Sequence, residues 1–531
     1  MNSSVPSRRA NRWIAPTFLF VITLSGLLAS QRWYGYAIDE ASYLWVVREE
    51  KAWIDELPSK PLAESFSDAG LKARWHFLEE PGKDRPTHSN FNLPLSMHLM
   101  TLGSMLTLGQ LEERLSARLA SMILFAWLIA RTYRVMSDSF GPQAGWGSAI
   151  LLVASPRVFG HAHLAGTETT LSCLWWLTTL ALIDSSVTRM RHHILMVPLL
   201  LSWTMATKLS GWFLAPVVLV GILLLRPTGW KRMIAYCVIL PWPMIVLLTP
   251  PLWHQPIRGL LDYLQHVRDN PWSIPSFFAG EVTSARLPGW TGWAIFSATS
   301  PIVTLLLGVG GVMFSWTDRR ILVIGMSTLA LMIARSIGLL PTHDVERHFA
   351  PALYGMAILA GWSAARLSNL LLKHSWAVIL TWSILLIEPL YETWTYRAHG
   401  LCFYNQAVGG MSGARALGFE TSYWWEAMTD DDWKETLRDL PSGSKVFLRP
   451  DHPGLDDLRR WGIWRSDLHS AGPEAPTYIL YAKRAAYFIP SENGTSWLPT
   501  DLGLWAEQGP VDHEVRFRDV RLIGRTAKPT R

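Results

Sequence analysis

The chain has 531 residues, 49% of them hydrophobic and only 17% charged, against roughly a quarter charged in an average soluble chain. Mean hydropathy is positive, and the 29 tryptophans suit the membrane–water boundary, where the indole ring is buried and its N–H stays wet. A polytopic membrane protein fits these figures and a soluble globular domain does not. The net charge of +6 raises nucleic acid as a partner, but the distribution of the basic residues excludes it, as described below. Cys173, Cys237 and Cys402 are scattered and follow neither a zinc nor a disulfide spacing.

The polar, basic stretch Met1 to Asn11 precedes an apolar run from Ile14 to Ala29. That pattern fits a cleaved signal peptide or an uncleaved first span; the span is preferred, and cleavage would leave the remaining topology unchanged. A bilayer core takes about 20 apolar residues as a helix. Spans are expected near 14–30, 115–134, 144–159, 167–184, 194–208, 211–226, 233–250, 292–314, 320–340, 349–366 and 376–391, eleven in all. The short 194–208 and 211–226 segments also suit a re-entrant pair.

Starting with the N-terminus inside, the inner loops carry Arg8, Arg9, Arg12, Arg131, Arg134, Arg189, Arg191, Arg226, Lys231, Arg232, Arg319, Arg320, Arg366 and Lys373. Short basic loops on one face are a topology signal. They account for the basic character without nucleic acid. The segments 31–114, 251–291, 341–348 and 392–531 then lie outside. Within them, 93–109 and 257–267 have the amphipathic spacing of interfacial helices. The tail changes character. "WKETLRDLPSGSKVFLRP" (433–450) reads as helix, turn and strand, and "PTYILYAKRAAYF" (476–488) contains a second strand. A small α/β domain over 392–531 is expected on the outer face, following a transmembrane domain over 1–391. "NGT" at 493–495 matches a glycosylation triplet, a pattern common by chance.

The residues that suit chemistry lie at span ends. Asp39 and Glu40 stand side by side in "YGYAIDEASYL". Two adjacent carboxyls hinder each other's ionisation, which suits a general base poised near neutral pH; the same residues also suit a helix N-cap. Glu168 opens the 167–184 span, where a negative charge is favourable at a helix N-terminus as well as useful in a site. His161 and His163 form an H-x-H pair, which needs a third ligand before it holds a metal. Lys208, in "MATKLSGW", falls on the outer side against the charge bias, so it either snorkels or meets an anion. Arg347, in "HDVERHFAPALYG", has a planar donor fork suited to a lipid phosphate, or pairs with Asp344 or Glu346. "HDVERH" (343–348) does not have the spacing of the H-E-x-x-H zinc motif.

In order along the chain stand "DE" (39–40), "NLPLSMHLM" (92–100), "RLASMILFAWLIARTYRVMSDSFGPQAGWGSAILLVASPRVFGHAHLAGTE" (118–168), "ATKLSGW" (206–212), "ERHFAPALYGMAILAG" (346–361) and "CFYNQAVGGMSGARALGFETSYWWEAM" (402–428). Over about residues 30 to 420 the chain resembles the membrane glycosyltransferases of the C-type fold. The resemblance is to bacterial relatives of protein O-mannosyltransferases and of the lipid A aminoarabinose transferase (glycosyltransferase family 39). It implies an integral protein of the bacterial inner membrane that moves one sugar from a polyprenyl-phosphate donor, usually with inversion, to a protein, lipid or glycan acceptor. It implies Asp39, with Glu40 completing the pair, as base or acceptor-positioning acid. It implies Glu168 as a second acid where many relatives have aspartate, and Lys208 and Arg347 as cations for the lipid phosphate. Sites of this family are not uniformly metal-dependent, so no metal is assigned, though a divalent cation is compatible with it. The alternative from another class is a transporter or flippase of lipid-linked sugars. Such proteins show repeats and mid-span ionisable residues; this sequence shows no repeat, and its charges sit at span ends.

Overall fold

The computed structural model describes residues 11–75, 77–78, 92–107, 109–269, 275–283, 286–371, 375–422, 425–472, 474–483 and 510–527. The "NGT" triplet lies outside them. Each apolar segment expected from the sequence is helical, and the interruptions follow proline. The 144–159 segment is two helices, Pro142–Val153 and Pro156–Ala162. Pro156 lacks an N–H and pushes the residue before it out of the helical region, and Ser155 is extended. The 233–250 segment bends between Trp230–Ile239 and Pro241–Leu248, and the 292–314 segment breaks before Pro301. The stretches Trp13–Trp33, Glu113–Phe140, Thr167–Thr188 and Trp230–Leu248 are long and apolar enough to cross a bilayer. The 13-residue helix His193–Met205 reaches only about 20 Å, short of a hydrocarbon core of about 30 Å.

Burial distinguishes two kinds of helix. Thr167–Ser185 is buried all round, including Trp175 and Trp176, as the central helix of a bundle must be. The first helix, Asn11–Ser30, and the helix Ser375–Thr395 instead expose Ile14, Phe18, Ile379 and Ile387, the surface a lipid-facing helix presents. Close packing inside the bundle uses small residues. A Cβ on Gly361 would stand 2.1 Å from Ser148 N, so only glycine lets these two helices approach.

The tail forms a mixed sheet. A separate hairpin pairs β1 (Ser276–Phe278) with β2 (Glu281–Thr283). Then β3 (Lys445–Arg449), β4 (His469–Ser470), β5 (Tyr478–Ala482), β6 (His513–Phe517) and β7 (Val520–Ala527) assemble in the order β4-β3-β5-β7-β6. β3 runs parallel to β4 and β5, while β7 is antiparallel to β5 and β6. The helix expected around 433 is Asp430–Arg438, started by a Thr429–Asp432 capping box.

The tail is joined to the first loop by a shared apolar core. Trp425, Trp433, Trp464, Leu448 and Leu480 pack in one cluster with Tyr36, Leu44 and Val47 of the first loop. Polar ties surround it. Tyr36 donates to Asp457 Oδ2 at 2.7 Å, and Arg114 makes a fork on Asp430 at 2.8 and 2.6 Å. The first turn of helix Ile38–Glu56, which carries Asp39, is therefore held from the tail side. Trp433→Ala removes a fully buried ring stacked 5.2 Å from Trp425. It is expected to destabilise the chain by about 3–5 kcal/mol and to open the first loop to limited proteolysis. An unchanged unfolding temperature and cleavage pattern would contradict the shared core.

Candidate functional site

Four of the five site residues expected from the sequence meet at one end of the bundle, although they come from four distant parts of the chain. Asp39 stands in the first turn of helix Ile38–Glu56 and Glu168 in the first turn of helix Thr167–Thr188. Lys208 precedes the short 3-10 turn Leu209–Phe213, and Arg347 begins another, Arg347–Phe349. The Arg347 guanidinium joins three of the carboxylates. Its Nε donates to Glu168 Oε1 at 2.7 Å, Nη1 to Asp344 Oδ2 at 3.0 Å, and Nη2 to Asp39 Oδ2. Lys208 Nζ approaches the same Glu168 oxygen at 3.1 Å. Lys208 thus turns inward to an anion rather than snorkelling. Arg347 does pair with Asp344, and adds two further acids. Glu168 stands in a helix first turn, as expected, and pairs with both cations, which the sequence did not suggest.

Glu40 faces elsewhere. Adjacent residues on a helix do not share a face, and Glu40 is 1% exposed in a different pair. Arg118 donates to it from Nε at 2.7 Å and Nη2 at 2.6 Å, and the backbone N–H groups of Ala37 and Ala165 donate at 3.1 and 2.8 Å. The bond from Ala37 N caps the helix, so the capping expected of Asp39 belongs to its neighbour. The mutual hindrance expected of the Asp39–Glu40 pair is not what perturbs Asp39. Burial raises the Asp39 carboxyl above its ordinary range, Arg347 opposes that, and Glu168 and Asp344 add to it. The side chain remains 27% exposed, enough for an outside partner to reach it.

Sequence reasoning missed several residues here. Tyr43 stands one turn beyond Asp39, with its hydroxyl 3.2 Å from Arg347 Nη2 and 3.4 Å from Thr167 Oγ1; the i, i+4 spacing was the available signal. A second buried pair lies alongside. Glu346 accepts from Arg157 Nη1 and lies 3.3 Å from His161 Nε2. His163 stacks on Tyr34 at 4.1 Å, with Nε2 2.7 Å from Ser30 Oγ. His161 and His163 are therefore engaged separately rather than as a metal pair. The turn that presents Arg347 is itself held. Arg335 donates to the carbonyls of Pro341 and Thr342 at 2.5 and 3.2 Å, and Asp344 and Val345 have φ of 57° and 48°, a left-handed conformation that costs non-glycine residues of order 1–3 kcal/mol each. A small cavity lined by Asp39, Glu40, His161, Gly166 and Glu168 opens at the acids.

Buried carboxylates beside fixed cations can do two things chemically. An acid raised towards neutrality can take a proton, and cations held by carboxylates can exchange them for an incoming anion such as a phosphate.

Residues 85–254 match the family model of dolichyl-phosphate-mannose-protein mannosyltransferase, in line with the resemblance read from the sequence. The match includes Glu168 and Lys208. No curated protein matches the chain. Among solved structures, the chain is similar to ArnT from Cupriavidus metallidurans bound to undecaprenyl phosphate. Identity is 14%, over 97% of this chain and 99% of that one, with a TM-score of 0.49. It is also similar to an oligosaccharyltransferase from Archaeoglobus fulgidus tethered to an acceptor peptide, with 12% identity over 73% of this chain and 56% of that one and a TM-score of 0.44.

Two outcomes test this geometry. Glu40→Gln is expected to lower the unfolding temperature markedly, because breaking a buried pair leaves Arg118 uncompensated at about 3–5 kcal/mol; Asp39→Asn is expected to leave it nearly unchanged. Equal effects would contradict the division of roles. Glu346 is raised by burial but held net down, at about 2, by Arg157 and His161. A depressed carboxyl stabilises the fold above its unfolded value near 4.5 and loses that contribution as pH falls towards 2. The stability advantage of wild type over Glu346→Gln is thus expected to be about 3 kcal/mol near pH 6 and to shrink as pH drops below 4.5. An advantage independent of pH in thermal melts would contradict it.

Proposed function

We propose that this chain is a membrane glycosyltransferase of the C-type fold. It moves a single sugar from a polyprenyl-phosphate-linked donor to an acceptor on the extracytoplasmic face of a bacterial inner membrane. The observation that carries the reading is the convergence of Asp39, Glu168, Lys208 and Arg347 in one ion-pair network. The eleven-span count puts all four at outer span ends. Even numbers of these spans lie between the four in sequence, so their meeting agrees with the count from Asp39 to Arg347, and the basic inner loops favour the outward face. The family match over 85–254 supports the donor class.

In this reading the donor lipid stays in the bilayer and its phosphosugar enters between Lys208 and Arg347. Asp39 accepts the proton of the acceptor's hydroxyl or amine as that group attacks the anomeric carbon. The carbon–oxygen bond to phosphate breaks, and its electron pair leaves on the polyprenyl phosphate. Lys208 and Arg347 balance the charge that develops there, each contact worth about 3 kcal/mol of barrier. Glu168 holds both cations at one oxygen before the donor arrives. Glu40 acts through Arg118 as a positioning residue for the first turn of the Asp39 helix. The domain over 392–531 lies on the same face and borders the path of the acceptor.

Sugar release from a panel of radiolabelled polyprenyl-phosphate sugars tests this in membranes containing wild type, Asp39→Asn or Lys208→Met. Asp39→Asn is expected to lose at least about 100-fold in turnover while donor retention stays within a few-fold. Lys208→Met is expected to weaken donor retention as well. The reading is falsified if wild type consumes none of the donors, or if Asp39→Asn turns them over as wild type does.

A further inference from the structure

The turn that presents Arg347 also gathers three metal-ligating side chains that the transfer reaction, as read above, does not use. His343, Asp344 and His348 each offer one ligand atom, and these atoms lie within 4.8 Å of one another. The rings of His343 and His348 stand edge to face, at 4.8 Å between centroids and 89° to each other, a favourable contact that holds the two imidazoles side by side. His348 is 8% exposed, and among the described residues its Nε2 has no hydrogen-bond partner. A buried ring nitrogen left without a partner carries a desolvation cost of about 1–3 kcal/mol, and such an atom asks for an explanation. We propose that His343, Asp344 and His348 form a binding site for a zinc-type divalent metal ion at the edge of the transfer site.

The donor set fits that ion. Two imidazoles and one carboxylate are ligands for zinc and related divalent metals, and three protein ligands leave a coordination position open. Ligand atoms around one tetrahedral zinc stand about 3.4 Å apart, so the three need to draw together by roughly an ångström. His343 is the partner able to do so, because it borders a cavity walled by Phe277, Phe278 and Phe419. That cavity also gives the ion a way in.

Charge permits it too. Asp39, Glu168 and Asp344 outnumber Arg347 and Lys208 by one negative charge in the joined network. Asp344 already accepts from Arg347 at 3.0 Å through Oδ2, but a carboxylate has about four lone-pair sites over two oxygens and serves both. An ion there would share Asp344 with Arg347. It would add positive charge next to the cation that takes the donor phosphate. This differs from the H-x-H pair His161 and His163, which are committed to Glu346 and Ser30.

The test uses the full chain purified in detergent, stripped with a chelator and titrated with zinc against a chromophoric competitor. Cobalt substitution gives a second readout, since its visible spectrum reports imidazole and carboxylate ligation. Wild type is expected to hold about one zinc ion. His343→Ala and Asp344→Asn are each expected to weaken it at least about 100-fold and to abolish the cobalt bands. His343 is at the cavity edge, so its variant is the one expected to fold normally if Asp344→Asn does not. Zinc held as tightly by His343→Ala as by wild type would overturn the proposal, as would a wild type that takes up none. The measurement needs no sugar donor: zinc binding without turnover would sink the transfer reading alone, and turnover without zinc binding would sink this one alone.

Discussion

One guanidinium ties the site together. Arg347 reaches Asp39 from the first loop, Glu168 from the central helix and Asp344 from its own turn. The side chains of Glu168 and Asp344 are 3% and 4% exposed. Charges so far from water are tolerated only when paired and hydrogen-bonded. Removing the cation would therefore leave several desolvated carboxylates facing one another. The same pairing makes the site responsive. A cation that already satisfies carboxylates in a partly dry setting is oriented in advance for another anion, and reorganisation at the moment of reaction is small.

Neighbouring residues in the short turn divide the work. Arg347 looks towards Asp39 and Glu168, whereas Glu346 turns to Arg157 and His161. The same separation recurs at the start of the first-loop helix, where Asp39 faces Arg347 and Glu40 faces Arg118. In both places one member of a sequential pair meets the site, and the other fastens the backbone that carries it. The tail completes the support, since its tryptophan-rich core includes Tyr36, Leu44 and Val47 of the first loop. The C-terminal segment is thus part of what holds Asp39 in place, and its sequence distance from the bundle is misleading about its mechanical role.

Much of this was legible in the sequence, for reasons that differ by element. The helical segments followed from hydrophobic run lengths, and the breaks at Pro156 and Pro301 mark where run length alone overestimates continuity. Asp39, Glu168, Lys208 and Arg347 stood out because a charge at a span end has few reasons to be there. Their partners did not. Arg118 sits in a span-like run and gives no local sign that it meets Glu40, 78 residues earlier. The approach of His343 to His348 depends on a turn with two left-handed non-glycine residues, which propensities do not anticipate. The H-x-H spacing of His161 and His163 does not bring the two together, because residues two apart at a helical end face different ways, one to Glu346 and the other to Ser30.

The central claim is that the Lys208–Glu168–Arg347–Asp39 network is a phosphate-exchange site at the outer end of the bundle. An experimental structure of the full chain in lipid, solved with a polyprenyl phosphate bound, tests it most directly. The account predicts phosphate oxygens within hydrogen-bond reach of both Lys208 Nζ and the Arg347 guanidinium, with the lipid tail leaving into the bilayer and the Asp39 carboxyl facing the open side. A phosphate bound elsewhere, with the four side chains still locked in the arrangement described, would contradict it.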